Sequence, residues 1–160
     1  RTATGFTVSG GADGTDTLAS IERLQFADKK VALDLNGAAG NSARIIGAAF
    51  GTQYVANAAF VGAGLALFDS GLTVQQVAEL ALGSAAFQQP AGSRSNAAVA
   101  TQLYKSVVGV APPASDLNYY VGLLNEGMSQ ADLLVFAANT ELNGAHINIT
   151  GLTQTGIEFS

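Results

Sequence analysis

Residues 43–51 read Ala-Arg-Ile-Ile-Gly-Ala-Ala-Phe-Gly, and residues 101–109 read Thr-Gln-Leu-Tyr-Lys-Ser-Val-Val-Gly. The two strings share one pattern, and each ends on glycine. They lie 58 positions apart, 101 against 43. Further along, Gly71-Leu72-Thr73 matches Gly127-Met128-Ser129 at an offset of 56, 127 against 71. A loop shorter by two residues reconciles the offsets, so the chain carries an internal repeat over about 43–87 and 101–142. A repeated unit that cannot bury its own apolar face packs on its copy.

The period inside the repeat is helical. Val74, Val77, Ala78 and Ala81 fall at i, i+3, i+4 and i+7, as do Ala100, Leu103, Tyr104 and Val107. Leu117, Tyr120, Val121 and Leu124 repeat the spacing, and so do Ala131, Leu134, Val135 and Ala138. Each set lays one apolar stripe along one helix face. Thr73-Val74-Gln75-Gln76 has the form of a capping box, and Ser129-Gln130-Ala131-Asp132 a looser one, with Asp132 favoured by the helix dipole. Gly51, Gly71, Gly109 and Gly127, with Pro90, Pro112 and Pro113, read as stops. Each copy predicts three helices, about six in all. Residues 55–68 are nearly apolar all round, which predicts a central helix or an interface. Val55, Phe60, Leu65 and Phe68 are its candidate interface residues. Gly62-Ala63-Gly64 lacks the lysine and spacing of a phosphate loop and reads as small residues at a close helix contact.

Both ends read differently. Leu24 and Phe26 alternate with polar Arg23 and Gln25, and Val31, Leu33 and Leu35 with Ala32 and Asp34, around the polar turn at residues 27–30. That is a hairpin with one buried face. At the other end Ile147 and Ile149, then Ile157 and Phe159, alternate with their neighbours and predict a short strand pair that joins the hairpin. The expected fold is therefore mainly α with a β annex (α+β). Its divisions are a β-rich segment at 1–36, a helical domain at 37–144 and C-terminal strands at 145–160.

Composition narrows the function. Charged residues are 12% of the chain and hydrophobic residues 48%, with a net charge of -5. Disordered chains are poorer in apolar residues and richer in charge. The seven basic residues are scattered, whereas a nucleic-acid surface clusters them. Neither nucleic acid nor an anionic membrane is an expected partner, and no run reaches the ~18 apolar residues of a membrane span. Cysteine is absent, which excludes disulfides and thiolate chemistry.

The chemical signal lies at residues 11–19, Gly-Ala-Asp-Gly-Thr-Asp-Thr-Leu-Ala. This fits the nonapeptide G-G-x-G-x-D-x-U-x except at Ala12. Glycines permit the tight turn, and a carboxylate supplies the hard oxygen that calcium prefers. One repeat makes half of such a site, so two readings stand: a calcium-binding turn, or an ordinary Gly-Asp turn before a strand. Asp13 and Asp16 are the candidate ligands, with Asp28 and Asp34 as weaker ones. His146, the single histidine, sits in an expected strand with no metal or nucleophile motif around it. The chain has no tryptophan to stack a sugar, and the carboxylates show no tight clustering in the helical part, which leaves a pair distant in sequence open. A non-enzyme is expected. In Tyr119-Tyr120, one ring is expected inward and one at the surface.

Residues 14–28, from Gly14-Thr15-Asp16 to Phe26-Ala27-Asp28, resemble the segment that closes calcium-repeat regions in RTX (hemolysin-type) secreted proteins. Leu103-Tyr104, Pro112, Leu117-Asn118-Tyr119-Tyr120 and Asn125-Glu126-Gly127-Met128-Ser129 resemble a helical domain of unknown function that follows such repeats in RTX and S-layer-like proteins. The resemblance implies type I secretion, with an export signal near the C-terminus, where residues 156–160 are similar to such ends. It also implies calcium-dependent folding outside the cell or at the bacterial cell surface. It brings no catalytic residues, and only Asp16 and Asp13 carry over, as calcium ligands. The expectation is a non-catalytic structural or interaction module of a secreted surface protein (adhesin, S-layer or filament), partnered by itself or by another surface component. The alternative is a calcium-dependent folding and export appendage of an upstream enzyme or toxin.

Overall fold

Glycines and short polar caps cut the helical region into more pieces than its apolar stripes suggest. The computed structural model of the chain describes residues 2, 5–10 and 14–160. Its helices are α1 (Ala38–Phe50), α2 (Thr52–Val55), α3 (Ala58–Asp69), α4 (Val74–Gly83) and α5 (Ala85–Ala91), followed by α6 (Asn96–Val108), α7 (Ala114–Asn125), α8 (Gln130–Ala138), α9 (Glu141–His146) and α10 (Ile149–Thr155). Strands β1 (Phe6–Ser9) and β2 (Thr15–Leu18) form one antiparallel pair. Strands β3 (Arg23–Gln25), β4 (Lys30–Ala32) and β5 (Ile157–Phe159) form a three-stranded antiparallel sheet in the order β3-β4-β5. The fold is mainly α with two small sheets, as expected.

The repeat is present as matched helices. Shifting by 58 superposes the limits of α1 on those of α6, and shifting by 56 carries α3, α4 and α5 onto α7, α8 and α9 to within a residue. The halves therefore hold four helices each, not three, and α2 is extra to the first. Equivalent helices pack on each other: α4 lies against α8 and α1 against α6. The short fourth helices cross over, so that α5 contacts α6 and α9 contacts α1.

The expected caps form. The Thr73 hydroxyl accepts from the Gln76 amide at 3.3 Å while the Gln76 side chain accepts from the Thr73 amide at 2.9 Å. Ser129 caps α8 by accepting from the Asp132 amide at 3.0 Å. The fourth helices start on equivalent hydroxyls, Ser84 over Phe87 and Thr140 over Asn143, at 3.3 and 3.2 Å. Each satisfies one of the free N–H groups of a helix start. Gly109 ends α6 in the left-handed region at φ 86, which favours glycine. Two expected stops act otherwise: Pro113 stands at the N-cap of α7, and Pro90 lies inside α5, next to its last residue.

Three further expectations are corrected. Residues 55–68 are not one helix, because the Asn57 side chain accepts from the amides of Ala59 and Phe60, at 3.1 and 3.2 Å, and starts α3 afresh. The expected strand at 147–149 is helical: His146 ends α9, Ile149 begins α10, and Asn148 caps α10 from the left-handed region at φ 52. Two isoleucines around one polar residue are too short a signal to separate a strand from a helix junction. The strand pair at the C-terminus is thus the single strand β5. It joins the hairpin as expected, with Ala32 opposite Ile157 and Lys30 opposite Phe159.

Two buried clusters result. The larger lies between the halves, around Val77, Phe87, Val99, Leu103 and Leu134. The smaller joins Ala32 and Leu35 to Ile46, Val61, Leu65, Ile147 and Ile157, which ties the sheet and the tail to the first half. Glycine makes the closest approaches possible. A β-carbon on Gly62 would stand 2.0 Å from the Ser160 carbonyl oxygen, and one on Gly64 2.9 Å from the Ser42 hydroxyl oxygen.

Candidate functional site

The repeat leaves an apolar cleft in each half, and the two clefts are equivalent. In the second half it opens between α6, α7, α8 and α9, with a volume of about 110 Å³. In the first it opens between α1, α3, α4 and α5, with about 190 Å³. The linings correspond through the repeat offsets. Ile45 and Leu103 hold one place, Val77 and Leu133 another, and Ser84 and Thr140 a third. The lips correspond as well: Leu80 is 50% exposed on α4 and Phe136 is 55% exposed on α8. The i, i+3, i+4 stripes of α4 and α8 are a little wider than the core needs, and these residues hang over its edge.

The clefts differ at several places, Ser42 against Ala100 among them, and three pairs bear on their shape. Tyr120 lines the second cleft, and its equivalent in the first is Gly64. Tyr104 on α6 corresponds to Ile46, and Asp116 on α7 to Phe60. The Tyr104 hydroxyl donates to the Asp116 carboxylate at 2.8 Å, which ties α6 to α7. That bond holds the Tyr104 phenol above its ordinary pKa, and burial pushes the same way. In the first half Phe60 instead packs against Tyr54 and Phe50, with ring centroids 4.6 and 5.2 Å away. Around the second cleft further apolar side chains face solvent. Leu142 on its rim is exposed, as is Val110 two residues beyond Val108. Tyr119 is 63% exposed and stacks edge-on against the half-buried Tyr120 at 5.3 Å, so one ring of the pair is outward and one inward.

The residues singled out from sequence are placed elsewhere. Val55 and Leu65 are 7% and 2% exposed within the smaller core, while Phe60 and Phe68 are half-buried. Val55 and Leu65 thus take the central placement that the all-round apolar pattern allowed beside an interface, in a segment broken at Asn57. Asp13 lies outside the described residues. Asp16 is exposed on β2, opposite Val8. Asp28 is exposed in the hairpin turn. Asp34, a weak ligand candidate, is committed elsewhere: one oxygen pairs with Arg23 and the other accepts from the Ala39 amide at 3.3 Å, in the first turn of α1. Calcium takes six to eight oxygens. Among the described residues no group of three His, Cys, Asp or Glu is close enough to hold a metal ion. The single carboxylate of Asp16 does not fit a closed site by itself.

His146 is exposed at the end of α9 rather than in a strand. It shares an open, polar depression of about 510 Å³ with Gln53, Gln102, Lys105 and Ser106. No carboxylate lines that depression. Among the described residues, no helix is long and apolar enough to cross a membrane.

The twin clefts were missed in the sequence, although Leu80 and Phe136 stand at the same repeat offset that revealed the halves. No curated protein and no solved structure matches the chain. Residues 78–145 match the family of the domain of unknown function DUF4214, a stretch that begins within α4, ends within α9 and contains the whole second cleft.

Proposed function

We propose that the chain is a non-catalytic, extracellular interaction module of a secreted bacterial surface protein, and that it associates with copies of itself through the face around the second cleft. The observation that carries this reading is the exposed Phe136 at the lip of an open apolar cleft, with exposed Leu142 beside it. Contiguous apolar surface of this kind marks sites of association. A chain with only 12% charged residues opposes self-contact weakly. The likeness of residues 14–28 to RTX closing segments supports secretion, and the DUF4214 match supports a domain of unknown function in the helical part. Type I export and a role for calcium in folding belong to the same proposal.

The test is light scattering on the chain eluting from a sizing column over a range of concentrations, in calcium and in chelator. The mass of the parent chain is expected to rise with concentration. Phe136→Ser, an exposed change that leaves the core intact, is expected to stay monomeric. A parent chain that remains monomeric at high concentration in calcium refutes self-association.

A further inference from the structure

The first cleft is the second cleft without its ring. Where α7 supplies Tyr120, α3 supplies Gly64, and the space is correspondingly larger, about 190 Å³ against 110 Å³. An apolar cavity of about 150 Å³ is enough to bind benzene. A side chain at position 64 would have to displace the Ser42 hydroxyl, which a β-carbon there would approach to 2.9 Å. The walls are apolar, from Ile45 and Ile46 on α1 to Leu67 on α3 and Val77 on α4. Two hydroxyls interrupt them, and that of Ser84 is already committed, donating to the Ala81 carbonyl at 2.7 Å. Ser42 lines the cleft, is 1% exposed, and its hydroxyl has no hydrogen-bond partner. A buried hydroxyl left unpaired is costly, and native structures seldom keep one without a reason.

We propose that the cleft between α1, α3 and α4 is a binding site for a small phenol, whose ring takes the space that Tyr120 fills in the other half and whose hydroxyl pairs with Ser42. A ring without a hydroxyl would use the walls and leave Ser42 unpaired. A more polar molecule would lose its hydration against the walls. The site does not depend on self-association, since it lies in the other half and binding is read on the dilute monomer.

The test uses p-cresol, which is the tyrosine side chain as a free molecule, and toluene, which lacks only the hydroxyl. Each is titrated into the isotope-labelled full chain while amide resonances are followed. Shifts are expected around Ser42, Gly64 and Leu80 with both probes. The p-cresol is expected to bind about two- to tenfold tighter, the worth of one net hydrogen bond. Ser42→Ala is expected to remove that preference and keep toluene binding. Ala63→Phe places a ring at the mouth from an exposed position and is expected to block both probes, independently of how Ser42→Ala folds. The proposal is overturned by an absence of shifts, by shifts confined to the Tyr120 cleft, by equal affinity for the two probes, or by binding that survives Ala63→Phe.

Discussion

Asn143 is a buried position at which a polar side chain stitches the two halves, and replacing it gives a measurable cost. It is 1% exposed. Its amide group donates to the Arg44 carbonyl of α1 at 3.0 Å and to the Ala138 carbonyl at the end of α8 at 2.8 Å. The last carbonyls of a helix have no partner within it, so Ala138 depends on this bond. In Asn143→Ala, two hydrogen bonds at about 1 kcal/mol each are lost. The vacated volume of roughly 25 Å³ adds about 0.5 kcal/mol. The sum, about 2–3 kcal/mol, lowers the melting temperature by roughly 4–12 °C in a chain of this size. Asn143→Asp keeps the shape but at neutral pH presents a carboxylate, which cannot donate, to two carbonyl oxygens. Burial and those carbonyls raise the folded pKa of such a group above its unfolded value of about 3.9. Its penalty is therefore largest at neutral pH and shrinks as pH falls through the raised pKa toward the unfolded one, where the acid can donate. Melting the parent and both variants at pH 7 and pH 4 checks this. An Asn143→Asp variant that melts with the parent at pH 7 would refute the reasoning, because the two carbonyls would then not need the amide protons.

Phe87 occupies the equivalent place in the first half and is 1% exposed; Phe87→Ala should cost about 3–5 kcal/mol in urea unfolding. Gly62→Ala should force the C-terminal strand away from α3, since a β-carbon would meet the Ser160 carbonyl at 2.0 Å; amide exchange at Ile157 and Phe159 should speed up while the larger core stays protected. Ser42→Ala removes a buried hydroxyl without a partner and should raise stability by about 1 kcal/mol in the absence of ligand. The Tyr104 phenol should ionise above its ordinary value in an ultraviolet titration, and Asp116→Asn should bring it down toward that value, because the carboxylate that favours the neutral phenol is gone.

Legibility in the sequence followed the length of each signal. The repeat spans two stretches of some forty residues, so its offsets were plain, and the caps at Thr73 and Ser129 formed as the spacing implied. The hairpin and its pairing with the tail were legible because Leu24 and Val31 sit opposite each other and Ile157 carries the same alternation. The fourth helices were not legible as helices. Phe87 and Asn143 follow their capping hydroxyls in segments of seven and six residues, too short for an apolar stripe to declare a period. The misread strand at Ile147 has the same origin: that side chain is buried because α9 turns into α10 there, not because it alternates. The first cleft was invisible for a different reason, since it arises from the distance between Gly64 and Ser42, which only the packed helices determine.

The fourth helices cross in the same way but carry different side chains at the same repeat position, Phe87 and Asn143. Because α5 crosses to α6, Phe87 reaches the shared core and an apolar ring is the side chain that fits. Because α9 crosses to α1, Asn143 meets helix carbonyls, and an amide is the side chain that satisfies them. These two residues sustain the fold, and neither lines a cleft. The cleft positions have diverged separately: Tyr104, Asp116 and Tyr120 narrow and brace one cleft, while Ile46, Phe60 and Gly64 leave the other roomier. A duplicated scaffold whose core depends on other positions can change its two surfaces independently. That is the physical basis on which we propose separate tasks for the two halves, contact between copies at Phe136 and a small aromatic ligand beneath Leu80.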